Sequence, residues 1–168
     1  TFRSLDELPE APELVVLAVP ASAFEETVDA SLAAGARAIV AIAAGLGEAS
    51  AEGRAREQAV VERVREAGAV LLGPNCLGVF DASAELDLSS SDFVPGPIGV
   101  ISQSGNLAIE LSLLASEVGL GISRFASLGN QADLEAAELV KELAAHETTR
   151  MIAVYLEDFR DGRAFARA

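Results

Sequence analysis

Short apolar runs alternate with amphipathic stretches along the chain, and this rhythm predicts alternating strands and helices. The runs are continuous and rich in β-branched residues, which is typical of strands buried on both faces of a parallel sheet. Strands are predicted over 14–20, 36–45, 69–75, 98–102, 122–129 and 150–158. Helices are predicted over 21–35, 51–67, 106–118 and 134–145, with a last one that begins near residue 163. The expected fold is therefore α/β, with parallel sheets covered by helices on both faces.

The rhythm is interrupted between Phe80 and Pro97, where the sequence has no clear period and closes on Pro-Gly-Pro. We interpret this segment as a linker between two units. Neither unit looks complete, and Thr1 is not a natural start residue. The sequence is therefore expected to be an internal segment of a longer protein.

The composition of the chain disfavours several classes of protein. Hydrophobic residues make up 51% of the chain, which is enough to build a core. The net charge of −14 disfavours binding to nucleic acid or to an anionic membrane surface. No apolar run reaches the ~18 residues of a membrane-spanning helix. The single cysteine, Cys76, excludes an internal disulfide and suits a cytoplasmic location, which we expect for this protein.

Ligands of parallel α/β sheets bind at the carboxyl ends of the strands, so the loops that follow the strands are the candidate sites. In GVISQSGNLA, the small polar residues Ser102 to Gly105 lie between a strand and a helix. Their N–H groups could hold an anion at the helix N-terminus, or Ser104 or Asn106 could simply cap the helix. No basic residue occurs between Arg65 and Arg124, so backbone N–H groups are the expected donors for an anion.

The sequence supports a dinucleotide-binding motif or a hydrolase motif less well than an anion site at the turn 102–105. GLGEAS, residues 45–50, resembles a dinucleotide fingerprint but has Ser50 where the third glycine belongs. A nucleophile elbow needs glycine two residues before the serine, and Ser104 has Ser102 there. The only histidine, His146, lies at a polar helix end and is expected to be solvated, which disfavours a Ser-His hydrolase.

Cys76 and Glu157 can each be interpreted as a structural or as a functional residue. Cys76 follows a strand and is either a buried small hydrophobic residue or a nucleophile. Glu157 follows a strand and is either a site carboxylate or a solvated acid. No cluster of Cys, His and acidic residues has the spacing of metal ligands, so no metal site is predicted.

The motifs AVP, AIAAG, GPNCLGV, GVISQSGNLA, SLGNQADL and VYLEDFRDGRAF follow one another along the chain. Their order and spacing resemble those of the nucleoside-diphosphate-forming (NDP-forming) acyl-CoA synthetases over nearly the whole length. SLGNQADL and YLEDFRDGR make the chain more similar to acetate-type than to succinate-type members. The resemblance implies that residues 1–92 are the C-terminal part of a Rossmann-like CoA-binding domain. Residues 96–168 would be the N-terminal part of a flavodoxin-like domain of the succinyl-CoA-synthetase type.

The resemblance also implies roles for individual residues. Contacts with CoA are expected from Val19, Pro20, Ile42, Ala43, Ala44, Gly45, Asn75 and Cys76. A phosphoryl group carried on a histidine is expected to bind at Ser102, Gln103, Ser104 and Gly105. Glu157 matches the catalytic glutamate that orients this histidine. The histidine itself belongs beyond Ala168 and the family's glycine-rich phosphate loop before Thr1, and His146 does not match the phosphorylated residue.

The reaction implied by the resemblance converts an acid, CoA and ATP into acyl-CoA, ADP and phosphate through acyl phosphate and phosphohistidine. The expected partners are CoA or acyl-CoA and an ATP-grasp domain or subunit outside this segment, which would bind ATP, ADP and Mg. The whole protein is expected to be an oligomer, and this segment alone is expected to be inactive. Succinate is disfavoured as the acid, because the succinate-type enzyme has arginine in place of Gln103 and tyrosine in place of Ile109.

Two other functions remain open at this point. Such a domain can also act as a non-catalytic acyl-CoA sensor within a protein acetyltransferase. A nicotinamide dinucleotide-binding domain is the third interpretation, and it depends on Gly45 and Gly47.

Overall fold

The computed structural model describes residues 1–168, which form eight strands, five α-helices and short 3₁₀ turns at Leu5–Glu7 and Ala21–Ala23. The strands are β1 (Leu14–Leu17), β2 (Ala38–Ala41), β3 (Val70–Leu72), β4 (Val79–Asp81), β5 (Leu86–Asp87), β6 (Pro95–Ser102), β7 (Ile122–Ser127) and β8 (Met151–Tyr155). The helices are α1 (Phe24–Ala33), α2 (Ala51–Glu66), α3 (Gly105–Glu117), α4 (Ala136–Ala145) and α5 (Gly162–Arg167). None of these helices is long and apolar enough to cross a membrane.

The first sheet is parallel, with the strand order β1-β2-β3. One face carries Leu17, Ile39 and Leu71, which pack with residues of α1 and α2 in one apolar cluster. The opposite face carries Val40 and Leu72, which pack in a second cluster with residues of β6, α4 and the loop after β7. Because both faces are covered, the strands are continuously apolar, as their sequences indicate.

The second sheet has the strand order β5-β4-β7-β6-β8. Strands β6, β7 and β8 run parallel to one another, whereas β4 pairs antiparallel with both β5 and β7. Phe93 packs between Phe80 and Phe125, with ring centroids 5.4 and 4.8 Å apart. The predicted α/β class is confirmed, and the second sheet is mixed because of β4 and β5.

The segment predicted as a linker between Phe80 and Pro97 contains structure. Strand β4 includes Phe80 and β5 lies within the segment, while β6 already begins at Pro95. These two added strands have three and two residues, too few to show a period of two. Their turns are held by local bonds: Asp81 Oδ1 accepts from Ser83 N at 2.9 Å. The polar residues that suggest a linker therefore form the turns of a short antiparallel addition to the sheet.

Strand β8 lies at the edge of the second sheet and pairs only with β6. It ends at Tyr155, two residues before Glu157, and Tyr155 and Met151 are exposed. The sequence predicts a buried strand here. An edge position explains the difference, because one long side of the strand has no neighbour in the sheet.

The loop after β7 connects the two sheets. Leu134 N donates to Leu71 O at 3.2 Å, and Leu71 N donates to Asp133 Oδ2 at 2.8 Å. The buried carboxylate of Asp133 also accepts from Arg65 Nε at 2.6 Å. These bonds hold the loop after β7 against β3 and the last turn of α2.

Candidate functional site

The predicted site residues follow the strands of both sheets at their carboxyl ends. Val19 and Pro20 follow β1, residues 42–45 follow β2, and Asn75 and Cys76 follow β3. In the second sheet, the turn 102–105 joins β6 to α3, and Glu157 follows β8. The order of strands and loops thus agrees with the rule that ligands of α/β sheets bind at this end.

The turn at Asn75 packs against the loop after β7. Asn130 N donates to Pro74 O at 2.8 Å, and Asn75 N donates to Ala43 O at 2.8 Å. Gly129 has a φ of +54°, and a Cβ atom there would overlap the carbonyl oxygen of Pro74. Only glycine allows this close approach of two main chains. The candidate CoA turn is therefore fixed directly against the second sheet.

The turn from Ser102 to Gly105 contains the helix cap that the sequence left open and is compatible with the alternative, an anion site. Ser104 Oγ accepts from Leu107 N at 3.4 Å, so Ser104 caps α3. The N–H groups of Ser104, Gly105 and Asn106 have no acceptor within the chain. Free N–H groups at a helix N-terminus, together with the helix dipole, attract anions. The cap therefore leaves three N–H groups free, and anion binding at this turn stays a prediction.

The side chains of this turn differ in accessibility. Ser102 is buried, and its hydroxyl donates to Ser104 O at 2.6 Å, so it shapes the turn from within. Gln103 is half-buried and reaches the loop after β8, where its Oε1 accepts from Glu157 N at 2.6 Å. Glu157 itself is exposed. The structure thus brings the predicted phosphoryl turn and the predicted glutamate together through Gln103.

A polar cavity of about 360 Å³ lies where these loops meet. It is lined by residues from α2 and from the loops after β2, β6, β7 and β8: Gly47, Glu48, Arg54, Glu57, Gln103, Gly129, Asn130, Glu157, Asp158 and Arg160. The cavity is therefore lined by Gln103 of the predicted phosphoryl turn and by Gly47 and Glu48, which follow the candidate CoA residues 42–45 in the same loop.

Comparison with known proteins identifies both halves of the chain. Residues 1–82 match the family model of a CoA binding domain, and residues 95–168 match that of a succinyl-CoA ligase like flavodoxin domain. The chain belongs to the NDP-forming acyl-CoA synthetase family. The family expected from the motifs is confirmed.

Individual family members agree with this assignment. The α subunit of ADP-forming acetate–CoA ligase I of Pyrococcus furiosus is 36% identical to the chain over 166 residues, or 98% of the chain. A crystal structure of a Pyrococcus horikoshii protein has a TM-score of 0.93 at 32% identity, covering 99% of the chain and 38% of that protein. The acetyl-coenzyme A synthetase 1 of Ca. Korarchaeum cryptofilum, in complex with phosphate and ADP, has a TM-score of 0.89 at 30% identity. That match covers 96% of the chain and 35% of the synthetase. The chain spans about a third of the length of the curated relatives it matches first, 36% for the P. furiosus subunit.

Sequence reasoning missed two cations that line the polar cavity. The gap between Arg65 and Arg124 suggests that no guanidinium is available to an anion, yet Arg54 and Arg160 line the cavity. Folding brings them there from α2 and from the loop after β8, outside the gap. Backbone N–H groups are therefore not the only donors near the predicted phosphoryl turn.

The acids Glu48 and Glu57 and the amide Asn130 were also missed. Asn130 Nδ2 donates to Glu48 Oε2 at 2.6 Å and to Glu57 Oε1 at 2.5 Å. Burial raises the pKa of Glu48, but hydrogen bonds from Asn130 and from backbone N–H groups outweigh it and leave this pKa below its ordinary value. The sequence signal that could have identified Asn130 is the motif SLGNQADL, in which this asparagine follows a strand.

The dinucleotide interpretation does not suit the loop 45–50. Gly45 N donates to Glu48 Oε1, and Gly47 N donates to Glu57 Oε1 at 2.7 Å. A pyrophosphate would need these N–H groups and would meet two carboxylates there. Ser50 caps α2 by accepting from Gly53 N at 3.0 Å.

Cys76 packs as a small buried residue. It is 4% exposed, and its Sγ lies 3.2 Å from Ala41 O. Burial raises the pKa of the thiol, which keeps it protonated and unreactive at neutral pH. The prediction that Cys76 lies near CoA therefore concerns the shape of the turn and not the chemistry of the thiol. The predicted CoA contacts remain predictions.

His146 is partly buried rather than fully solvated. Its Nε2 lies 3.2 Å from Ser83 Oγ, and that hydroxyl donates to Asp81 Oδ1 at 2.5 Å. In a catalytic triad the imidazole lies between the hydroxyl and the carboxylate, whereas here the serine lies between them. Asp81 is also paired with Arg124 at 2.6 Å. The group supports the β4–β5 turn and does not form a hydrolase site.

Proposed function

We propose that the intact protein carrying this chain is an ADP-forming acyl-CoA ligase. It would convert an acid, CoA and ATP into acyl-CoA, ADP and phosphate through acyl phosphate and a phosphohistidine. In this proposal the chain supplies the CoA-binding loops and the turn that receives the phosphoryl group. In this proposal the sheet β1-β2-β3 belongs to the CoA-binding domain, and the second sheet, which includes β4 and β5, belongs to the ligase domain.

One observation carries the proposal: a single cavity adjoins the loop after β2, the turn after β6 and the glutamate after β8. CoA and a phosphoryl group take part in the same reaction sequence, so their sites must lie within reach of each other. The loops come from two different sheets, and the Asp133 bonds to Arg65 and Leu71 hold those sheets together.

The chemistry of phosphoryl transfer suits the turn at the start of α3. A transferred phosphoryl group has little covalent character in the transition state and needs positioned donors above all. Ser104, Gly105 and Asn106 offer free N–H groups. Arg54 and Arg160 are further donors in the neighbouring cavity, which is also lined by four acids: Glu48, Glu57, Glu157 and Asp158. Glu157 is exposed and would accept a hydrogen bond from the N–H of the incoming imidazole, which fixes the orientation of the ring.

The CoA side is supported by exposed residues at the strand ends. Pro20, Ile42, Ala44, Gly45 and Asn75 are all exposed there. Ala43 and Cys76 are buried, so in this proposal they shape the loops that contact CoA.

ATP, ADP and Mg belong to an ATP-grasp module outside this chain. The residues described do not fit a magnesium site, since no group of three or more His, Cys, Asp or Glu side chains is arranged to hold a metal ion. Glu48 and Glu57 are occupied by Asn130 and by backbone N–H groups. The proposal places the enzyme in the cytoplasm as an oligomer, in keeping with its single reduced cysteine.

The proposed phosphoryl turn can be tested with a pair of variants at Ser104 in the intact protein. Ser104→Pro removes both the N–H donor and the capping hydroxyl, whereas Ser104→Ala removes only the hydroxyl. Phosphohistidine is followed with ATP labelled at the γ-phosphate. We expect labelling to be lost in Ser104→Pro and retained in Ser104→Ala. Equal labelling of Ser104→Pro and the unmodified protein would refute the role of the turn.

The same assay separates the ligase from the acyl-CoA sensor. A ligase forms phosphohistidine from ATP, whereas a sensor binds CoA thioesters without any labelled histidine. An unmodified protein that binds CoA but is never labelled would therefore assign the chain to the sensor class.

A further inference from the structure

Asn130 uses every polar atom of its side chain around the cavity. Its Nδ2 donates to Glu57 Oε1 at 2.5 Å and to Glu48 Oε2 at 2.6 Å. Its Oδ1 accepts from Asn75 Nδ2 at 3.2 Å. An amide has two donor hydrogens and one acceptor oxygen, so this residue matches two carboxylates and one amide at once. No other side chain of similar size offers that combination.

The partners of Asn130 lie on two loops that follow different strands. Asn75 belongs to the turn after β3. Glu48 belongs to the loop after β2, where its carboxylate accepts from the N–H groups of Gly45 and Leu46. Asn130 therefore contacts one predicted CoA residue directly and reaches another, Gly45, through a single carboxylate.

The buried carboxylate of Glu57 anchors this set of hydrogen bonds on α2. It lies on α2, is 4% exposed, and accepts from Gly47 N at 2.7 Å. A Cβ atom on Gly47 would overlap the Glu57 carboxylate, so the loop lies tightly on the helix. A carboxylate this deeply buried needs its hydrogen-bond donors, because an unpaired buried charge is costly.

We propose that Asn130 is a positioning residue for CoA. It holds the loop after β2 and the turn after β3 in the relative arrangement that receives the cofactor, with Glu57 as its buried anchor. This inference rests on the proposed function, since it takes the CoA contacts of those two loops from it.

A single variant and a double variant test this role in the intact protein. Together they exchange an amide and a carboxylate between positions 130 and 57. Asn130→Asp removes both donor hydrogens and places a third carboxylate beside Glu48 and Glu57. Adding Glu57→Gln removes one of the facing carboxylates and returns the net charge to its original value. Gly47 N and Asn130 Nδ2 both bond to Glu57 Oε1, so the new amide keeps its Oε1 for Gly47 N and has to turn its Nε2 toward position 130. Glu62→Gln, at an exposed position of α2, serves as the control for charge removal.

The readout is the dissociation constant for CoA, measured by titration calorimetry, with the free energy of unfolding measured alongside. We expect Asn130→Asp to weaken CoA binding by about 10-fold or more. The double variant should regain part of this affinity, because the repulsion from Glu57 is removed while that from Glu48 remains. Glu62→Gln should bind CoA unchanged. A residue that only stabilises the fold would lower the free energy of unfolding without this loss and recovery of CoA affinity.

The outcomes separate this inference from the proposed function. If the unmodified protein binds CoA and Asn130→Asp binds it equally well, the positioning role is wrong and the proposed function stands. If the double variant folds but stays as weak as Asn130→Asp, the positioning role is also wrong. If the unmodified protein does not bind CoA, both fail. Should Asn130→Asp not fold, Asn130→Ser removes the amide without adding charge, and unchanged CoA affinity in that variant overturns the inference.

Discussion

The side chain of Gln103 holds the backbone that carries Glu157. Its Oε1 accepts from Glu157 N at 2.6 Å and from Asp158 N at 3.2 Å. Its Nε2 donates to Asp158 Oδ1 at 2.9 Å. Gln103 follows β6 and Glu157 follows β8, so one glutamine fixes two neighbouring strand ends relative to each other. The resemblance assigns this glutamine to the phosphoryl group, and its bonds in the structure show that it also orders the loop of the predicted glutamate.

Replacing Gln103 should loosen this loop without unfolding the protein. Gln103→Met keeps the length of the side chain but removes its acceptor and donor. We expect the amide protons of Glu157 and Asp158 to exchange about 5-fold faster, because each net hydrogen bond is worth about 1 kcal/mol. Hydrogen exchange followed by NMR measures this, with the exposed Gln58→Met on α2 as the control. Unchanged protection at both amides would mean that Gln103 does not hold the loop.

The ion pair between Arg65 and Asp133 should respond unequally to loss of its two partners. Asp133 is 5% exposed and also accepts from Leu71 N, whereas the Arg65 side chain is 63% exposed. Asp133→Ala should lower the free energy of unfolding by about 1–3 kcal/mol, since it leaves a buried N–H without an acceptor. Arg65→Ala should cost less, about 1 kcal/mol, because the guanidinium is screened by solvent and the buried Asp133 carboxylate keeps its bond from Leu71 N. Urea denaturation of both variants measures the difference, and equal losses would contradict this account.

The pKa of Glu48 predicts how its contribution to stability depends on pH. Burial raises this pKa, but the hydrogen bonds from Asn130, Gly45 and Leu46 leave it below the ordinary value of 4.5 in the folded state. The unfolded chain therefore binds more protons in this range, and stability rises with pH. The contribution of Glu48 is fully present above pH 4.5 and is lost as the pH falls through the folded-state pKa.

Glu48→Gln isolates this effect. The difference in free energy of unfolding between the unmodified protein and Glu48→Gln should be largest above pH 4.5 and should shrink as the pH is lowered. Urea denaturation at a series of pH values measures it. Glu62→Gln removes the same charge at an exposed position and shows how much follows from net charge alone. A difference that grows toward acidic pH would reverse the expected sign.

Cys76 should be unreactive in the folded protein. It is buried, and burial raises the pKa of its thiol, so little thiolate is accessible at neutral pH. We expect a thiol reagent such as DTNB to label it only as fast as the protein opens, and at once in denaturant. Rapid labelling under native conditions would show that the turn after β3 is more open than described.

Much of the fold is predictable from the sequence, because buried parallel strands carry a strong local signal. The run Leu14 to Leu17 is apolar throughout, since one of its faces packs on α1 and α2 and the other belongs to the cluster shared with the second sheet. Strands β4 and β5 carry no such signal, because they are very short and their turns are polar. Their place in the second sheet is set by pairing with β7, which is distant in the sequence.

The cavity was less predictable than the turns that surround it. Ser102 to Gly105 is recognisable because a change from apolar to small polar residues marks a strand end. Glu57 and Arg54 lie within an amphipathic helix, where charged residues usually face solvent. Only folding shows that Glu57 is buried against Gly47 and Asn130. Asn130 and Glu57 are far apart in the chain, so the hydrophobic periodicity of the sequence cannot predict their contact.

The central claim is that the chain joins CoA chemistry to phosphoryl docking, and one measurement in the intact protein tests both without ATP. Run in reverse, the proposed reaction converts acyl-CoA and phosphate into CoA and acyl phosphate, whose phosphoryl group then passes to the histidine and releases the acid. We expect [³²P]phosphate to label the protein on histidine only when a suitable acyl-CoA from a short-chain panel is added. The label should be absent from Ser104→Pro and present in Ser104→Ala. A protein that binds CoA but takes up no label with any acyl-CoA would contradict the account.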